Sequence, residues 1–302
     1  MDMEYYVPYG EAEPELPVPL DTLNKFIGQG IELRRTPEAL LLTLPWPLSL
    51  GRGMMQPLVL TVTAAAGEIL IRDGGAALAA LYKKDPRPAV YEERLSRLLL
   101  LIGNVSFISG RELAVAFMPG GGDMLRYNII GALARLLRAV TLVSCLDMLP
   151  HLAEVGTLAA KYGIPRISFK KTSPDAALLD AAESVLSSLY SARDAYGTAR
   201  IFTGTYFDGE GLDLIFEVPK TRQTLIYASD VLHDYVSYDI CYAEYEDRIR
   251  HIAHHFGCRI GNERRLEISF CRNDMPLAAA IARMHAAALV ISSLERIIAL
   301  AP

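Results

Sequence analysis

Two stretches of 21 residues decide how this chain is read: IIGALARLLRAVTLVSCLDML at Ile129–Leu149 and LAAAIARMHAAALVISSLERI at Leu277–Ile297. They align without a gap and share Ala132/Ala280, Ala134/Ala282, Arg135/Arg283, Ala139/Ala287, Ser144/Ser292 and Leu146/Leu294. Apolar residues recur at three- and four-residue spacing in both, which is the pattern of a helix with a core-facing side. Arg135 and Arg138 near the middle of the first argue for a buried amphipathic helix rather than a membrane span. Repeated alanines in the second allow close approach to a neighbour, and the two helices are expected to pack together about a pseudo-twofold axis.

Working outward, two further matches keep the same order. The run Glu112–Phe117 corresponds to Arg265–Phe270, and Tyr91-Glu92-Glu93-Arg94-Leu95 to Tyr245-Glu246-Asp247-Arg248-Ile249, with Gly103 and Gly257 at equal distances beyond. The offset between copies falls from 154 at Gly103/Gly257 to 153 at Glu112/Arg265 and 148 at Ile129/Leu277, so most of the loss lies in the loop Met118-Pro119-Gly120-Gly121-Gly122, where insertions cost least. Upstream, Asp21 is placed to cap a helix to about Ile27. Extended segments follow at Ala39–Leu44, Leu58–Val62 and Glu68–Ile71, then a helix to Lys84 and a break at Asp85-Pro86-Arg87-Pro88. In the second half, Ser173-Pro174 opens a helix to roughly Ala192. Strands are expected near Arg200–Thr205, Leu212–Val218 and Thr224–Tyr227, with a hairpin turn at Asp208-Gly209-Glu210-Gly211. A helix from about Ser229 and one around Tyr245 complete the parallel.

The expected fold is therefore α+β, with two tandem copies of an α-β-β-β-α-α-β-β-α module, each antiparallel sheet packed by its long C-terminal helix. The organisation reads as an acidic, proline-rich arm (1–20), module 1 (21–149), a connector (150–172) and module 2 (173–302).

Composition narrows the function classes. With 51% hydrophobic and 22% charged residues, the chain is globular rather than disordered. A net charge of -5 argues against gripping nucleic acid over a broad face, which needs concentrated Lys and Arg. Cys145, Cys241, Cys258 and Cys271 form no CxxC pair and read as reduced, buried thiols. Met1–Glu15 lacks a basic and apolar leader pattern, so a cytoplasmic setting is expected.

The first half resembles DUF1828, a family of bacterial and prophage proteins known as a domain of unknown function. The resemblance covers about Ile31–Leu149. It rests on Ile69-Leu70-Ile71-Arg72-Asp73-Gly74-Gly75, on Leu78 and Leu81, the Arg94 helix, Gly103, the Glu112-Leu113 strand and the long final helix. Where the family shows Thr-Asp-Asp-Gly, this chain has Arg72-Asp73-Gly74-Gly75 and keeps Asp73 and Gly75. The second half has Tyr227-Ala228-Ser229-Asp230 there. The resemblance implies a mobile-element setting. The element order is also similar to that of type III secretion chaperones, which are binding proteins.

Several constellations carry possible chemistry. Asp73, with Glu68, could serve a metal-dependent reaction, and Gly74 and Gly75 at a helix start could hold an anion. Asp-Gly is equally a turn and cap signal. His251, His255 and Cys258 would share one helix face and suit zinc, although Gly257 is placed to end the helix first. Arg135 and Arg283 read as a repeated structural arginine or as a symmetric anion-binding pair. The triple glycine lacks the Gly-Lys-Ser/Thr ending of a phosphate loop and reads as a connection. Tyr227, Tyr235, Tyr238, Tyr242 and Tyr245 suit a protein interface.

The favoured expectation is a non-enzymatic binding protein without a cofactor, a phage or prophage inhibitor or adaptor with a protein partner and a possible homodimer. The alternative is a metal-dependent hydrolase or nuclease centred on Asp73.

Overall fold

The computed structural model describes residues 18–48, 57–84, 95, 98–99, 102–108, 111–146, 173–195, 198–207, 210–217, 223–227, 242–261, 264–270 and 275–298. Residues 1–17 of the N-terminal arm, the connector, Tyr235, Tyr238 and the helix expected from Ser229 lie outside the described residues.

The fold is α+β, with two six-stranded antiparallel sheets. In the first half, α1 (Leu20–Gly28) leads into β1 (Glu32–Arg35), β2 (Leu40–Leu44), β3 (Leu58–Ala65) and β4 (Glu68–Arg72). Then come α2 (Ala76–Lys84), β5 (Ser106–Ile108), β6 (Glu112–Phe117) and the long α3 (Asp123–Ser144). The second half runs α4 (Ala176–Leu186), β7 (Ser191–Ala195), β8 (Thr198–Phe207), β9 (Glu210–Glu217) and β10 (Gln223–Tyr227). It closes with α5 (Tyr242–His255), β11 (Arg259–Ile260), β12 (Leu266–Phe270) and α6 (Leu277–Ile298). The strand orders are β1-β2-β3-β4-β6-β5 and β7-β8-β9-β10-β12-β11, so strands of the same rank occupy the same places in both sheets.

Alternation drives the sheets. Leu40, Leu42 and Leu44 of β2 are buried on one face, as are Leu58, Leu60 and Val62 of β3 on the strand beside it. Each half has four strands before its middle helix, where the sequence leads one to expect three. The extra strands are β1 and β7. Their sequences, Glu-Leu-Arg-Arg and Ser-Ala-Arg-Asp-Ala, carry no apolar alternation because each is an outer strand whose extended form comes from pairing with its neighbour.

Two helix starts also differ from expectation. Pro19 precedes α1 with no side-chain cap, and Asp21 falls inside the first turn. Asp175, not Ser173, caps α4, accepting a hydrogen bond from the Leu178 N–H at 3.1 Å. Pro174 instead bridges to Ala65 of β3. Helix α4 stops at Leu186 because Ser187 and Ser188 turn their hydroxyls back onto the carbonyls of Ser184 and Val185.

The first helix of each half packs on the other half. Helix α1 lies against β7 and α6, and α4 lies against β2, β3 and α3. The Asn24 side chain accepts from the Ala192 N–H at 2.8 Å and donates to its carbonyl at 3.3 Å, so α1 completes the outer strand β7. In the mirrored place, Arg35 of β1 reaches Asp180 at 3.0 Å and Glu183 at 3.6 Å on α4. The long helices α3 and α6 touch each other between the sheets, and one buried apolar cluster runs from Leu23 to Leu294 through both halves. Both are long and apolar enough to cross a membrane by length and composition, yet 67% and 94% of the respective windows are buried within the fold.

Candidate functional site

Asp73 sits where β4 meets α2, nearly inaccessible at 1% exposure. Its Oδ1 accepts from the backbone N–H groups of Gly75 (2.9 Å) and Leu113 (2.8 Å), and its Oδ2 from that of Ala77 (3.0 Å). Its own N–H donates to the Leu113 carbonyl at 3.0 Å. Gly74 and Gly75 adopt φ values of +61° and +81°, which fold the chain back so that these donors converge on one carboxylate. The residue thus caps α2 and ties the β4–α2 corner to β6. Burial pushes the carboxyl pKa up, the three N–H groups pull it down, and Glu112 adds a smaller upward push. The helix start that could hold an external anion already holds this internal one.

The structure does not bring Glu68 to Asp73. Glu68 begins β4 at the turn from β3, and Asp73 follows its far end, roughly 16 Å away at ~3.3 Å per strand residue. Arg72 turns to Glu112 instead, at 3.4 Å, with both side chains partly exposed.

The two matched arginines have unlike surroundings. Arg283 reaches the corner after α5: a Cβ built on Gly257, at φ +74°, would fall 2.9 Å from its Nη1. Its charge works against the burial that pushes the Cys258 thiol up to about 12. The equivalent space at Gly103 is open. The Arg135 Nε is buried without a hydrogen-bond partner.

His251, His255 and Cys258 do not converge. Gly257 ends α5, and Cys258 turns into the core beside Arg283. His255 places Nε2 3.9 Å from Cys145 Sγ, a contact between the two halves. Among the described residues, no group of three His, Cys, Asp or Glu side chains could hold a metal ion.

Two features went unread in the sequence. One is a buried polar cluster of Trp46, Thr141, Tyr190 and His285, drawn from four separate segments. A lone Trp and a His in an alanine-rich helix were its only signals. The other surrounds the triple glycine. Met118, Met124 and Tyr127 are 73%, 55% and 58% exposed. Asn128 donates to the Pro119 carbonyl at 2.9 Å and folds the loop over the first turn of α3. Met124 and Tyr127, three residues apart, share a helix face beside it.

Comparisons of the chain with family models, with curated proteins and with solved structures find no match.

Proposed function

We propose that this is a non-enzymatic binding protein whose contact surface is the Met118–Tyr127 segment at the head of α3. The observation that carries the reading is the exposure of Met118, Met124 and Tyr127 on a loop that Asn128 holds in place. Methionine adapts to irregular partners, and tyrosine offers large contact area at low entropy cost. The metal-dependent hydrolase has less support, because Asp73 spends both oxygens on backbone N–H groups.

The finer architecture belongs to the same proposal: the halves are diverged copies of one module. Support comes from the shared strand order, the gapless α3/α6 alignment and the reciprocal packing of α1 and α4 on opposite halves. A different protein, rather than a second copy, is the partner. The outer strands β1 and β7 are already flanked by α4 and α1, and β5 and β11 are three and two residues long. The resemblance of Ile31–Leu149 to DUF1828 supports a phage or prophage inhibitor or adaptor acting on a host protein. The buried thiols of Cys145 and Cys258 suit a cytoplasmic setting.

The test is affinity capture from the native host with mass spectrometry, comparing the wild type with Met124→Asp/Tyr127→Asp. One partner should be held by the wild type and reduced at least about tenfold by the double variant, with thermal unfolding unchanged. Equal capture by both proteins, or no specific partner, rejects the reading.

A further inference from the structure

From Ile129 to Ser144, only Gly131, Ala134, Arg135 and Arg138 of α3 are incompletely buried. These four are not scattered. Steps of three and four residues carry one stripe from the exposed Met124 and Tyr127 through Gly131 and Ala134 to Arg138, with Arg135 one turn beyond Gly131. A Cβ built on Gly131 meets nothing within 4 Å, so the stripe is notched there. The second half has closed the same stripe. Gly131, Ala134 and Arg138 correspond to Ala279, Ala282 and Ala286 of α6, all three buried, while Arg283 reaches the Gly257 corner.

Arg135 is the member of the stripe that the fold leaves unexplained. Its Nε is buried without a hydrogen-bond partner, and no ion pair among the described residues involves it. A guanidinium held this way forfeits hydrogen bonds that water would give it. A carboxylate restores them, setting its two oxygens on the planar N–H edge. Gly131 leaves clearance for that approach on the same face. The stripe itself carries two arginines and no acid, in a chain whose net charge is -5. One arginine is a weak hold on a small anion in water, but the same stripe runs on to Met124 and Tyr127, which add apolar contact area.

We infer that this stripe takes a protein segment bearing an acidic side chain: its carboxylate docks on Arg135 over Gly131, and its apolar neighbours cover Met124 and Tyr127. The inference rests on the reading of Met118–Tyr127 as the contact surface and adds what the partner must carry. From Tyr127 to Arg135 is roughly 12 Å of helix axis. An extended segment covers that in about four residues, which sets the spacing between its apolar anchor and its acid. A nucleic acid fits less well, because its evenly spaced phosphates call for a row of cations, and the mouth of this stripe is apolar.

The experiment selects binders of the full chain from a phage-displayed library of random peptides. The enriched peptides are then synthesised and titrated against the wild type, Arg135→Met and Met124→Asp/Tyr127→Asp. They should share an Asp or Glu about four residues from an apolar group. Affinity should fall at least about tenfold in Arg135→Met, and equally when the peptide's acid is replaced by its amide. Both changes together should cost no more than either alone. Methionine keeps the apolar stem of Arg135, so thermal unfolding should stay unchanged or rise. Peptides that respond to Met124→Asp/Tyr127→Asp but not to Arg135→Met leave the contact surface standing and overturn the acidic partner. A selection with no peptide sensitive to either variant rejects both. Arg135→Met that unfolds well below the wild type, or does not fold, reveals a structural arginine and overturns the inference. So does a random single-stranded oligonucleotide that binds through Arg135 where no acidic peptide does.

Discussion

At the scale of single residues, the charged and polar groups that looked functional mostly hold corners. Asp73 is the clearest case, since removing its side chain strands three backbone N–H groups in a buried corner. Asp73→Ala should cost about 3 kcal/mol, at ~1–3 kcal/mol per unsatisfied buried group with some relaxation. Asp73→Asn should cost less, because its carbonyl can still accept from Gly75 and Leu113. Urea unfolding checks both, and a loss under about 1 kcal/mol for the alanine variant contradicts the corner role. Gly257→Ala should lose roughly 1 kcal/mol through its positive φ of +74°, with the flexible Arg283 end moving aside. Aspartate followed by glycines is legible in sequence as a turn. Which N–H groups it collects is not, because Leu113 comes from a strand forty positions away.

Between elements, the decisive contacts are exchanged ones. Gly30, just after α1, approaches α6 so closely that an added Cβ would fall 2.3 Å from the Ala278 Cβ. The alanine-rich face of α6 thus meets a glycine of the other half. Gly30→Ala should destabilise by about 1–3 kcal/mol, the usual cost of overpacking, and Ala278→Gly should recover part of it in a double-mutant cycle. Additive effects would show that the two positions do not touch. Asn24→Ala should cost about 1–2 kcal/mol by leaving Ala192 unpaired at the outer strand. Amide exchange should locate that loss at β7, and protection of Ala192 unchanged from the wild type would refute it. The apolar strands and the two long helices were readable from their periodicity. The polar outer strands β1 and β7 were not, because pairing and exchanged helices hold them rather than their own residues.

For the molecule as a whole, one apolar cluster crosses both halves, so they should unfold together. A single calorimetric transition is expected, with the calorimetric and van't Hoff enthalpies equal. A protease site engineered within 150–172 should, after cutting, leave two fragments that co-migrate on gel filtration. Two resolved transitions, or separation of the cut fragments, would show that each half is self-sufficient. The sequence by itself determined the α+β composition, the two matched long helices and the glycine corners, because side-chain periodicity and backbone freedom are local properties. Tertiary structure alone decided that α1 and α4 cross to opposite halves, that Asp73 gathers the N–H groups of Gly75, Ala77 and Leu113, and that His285 meets Trp46. Each of these depends on residues brought together from distant parts of the chain, and no local pattern encodes which distant partner fills a buried site.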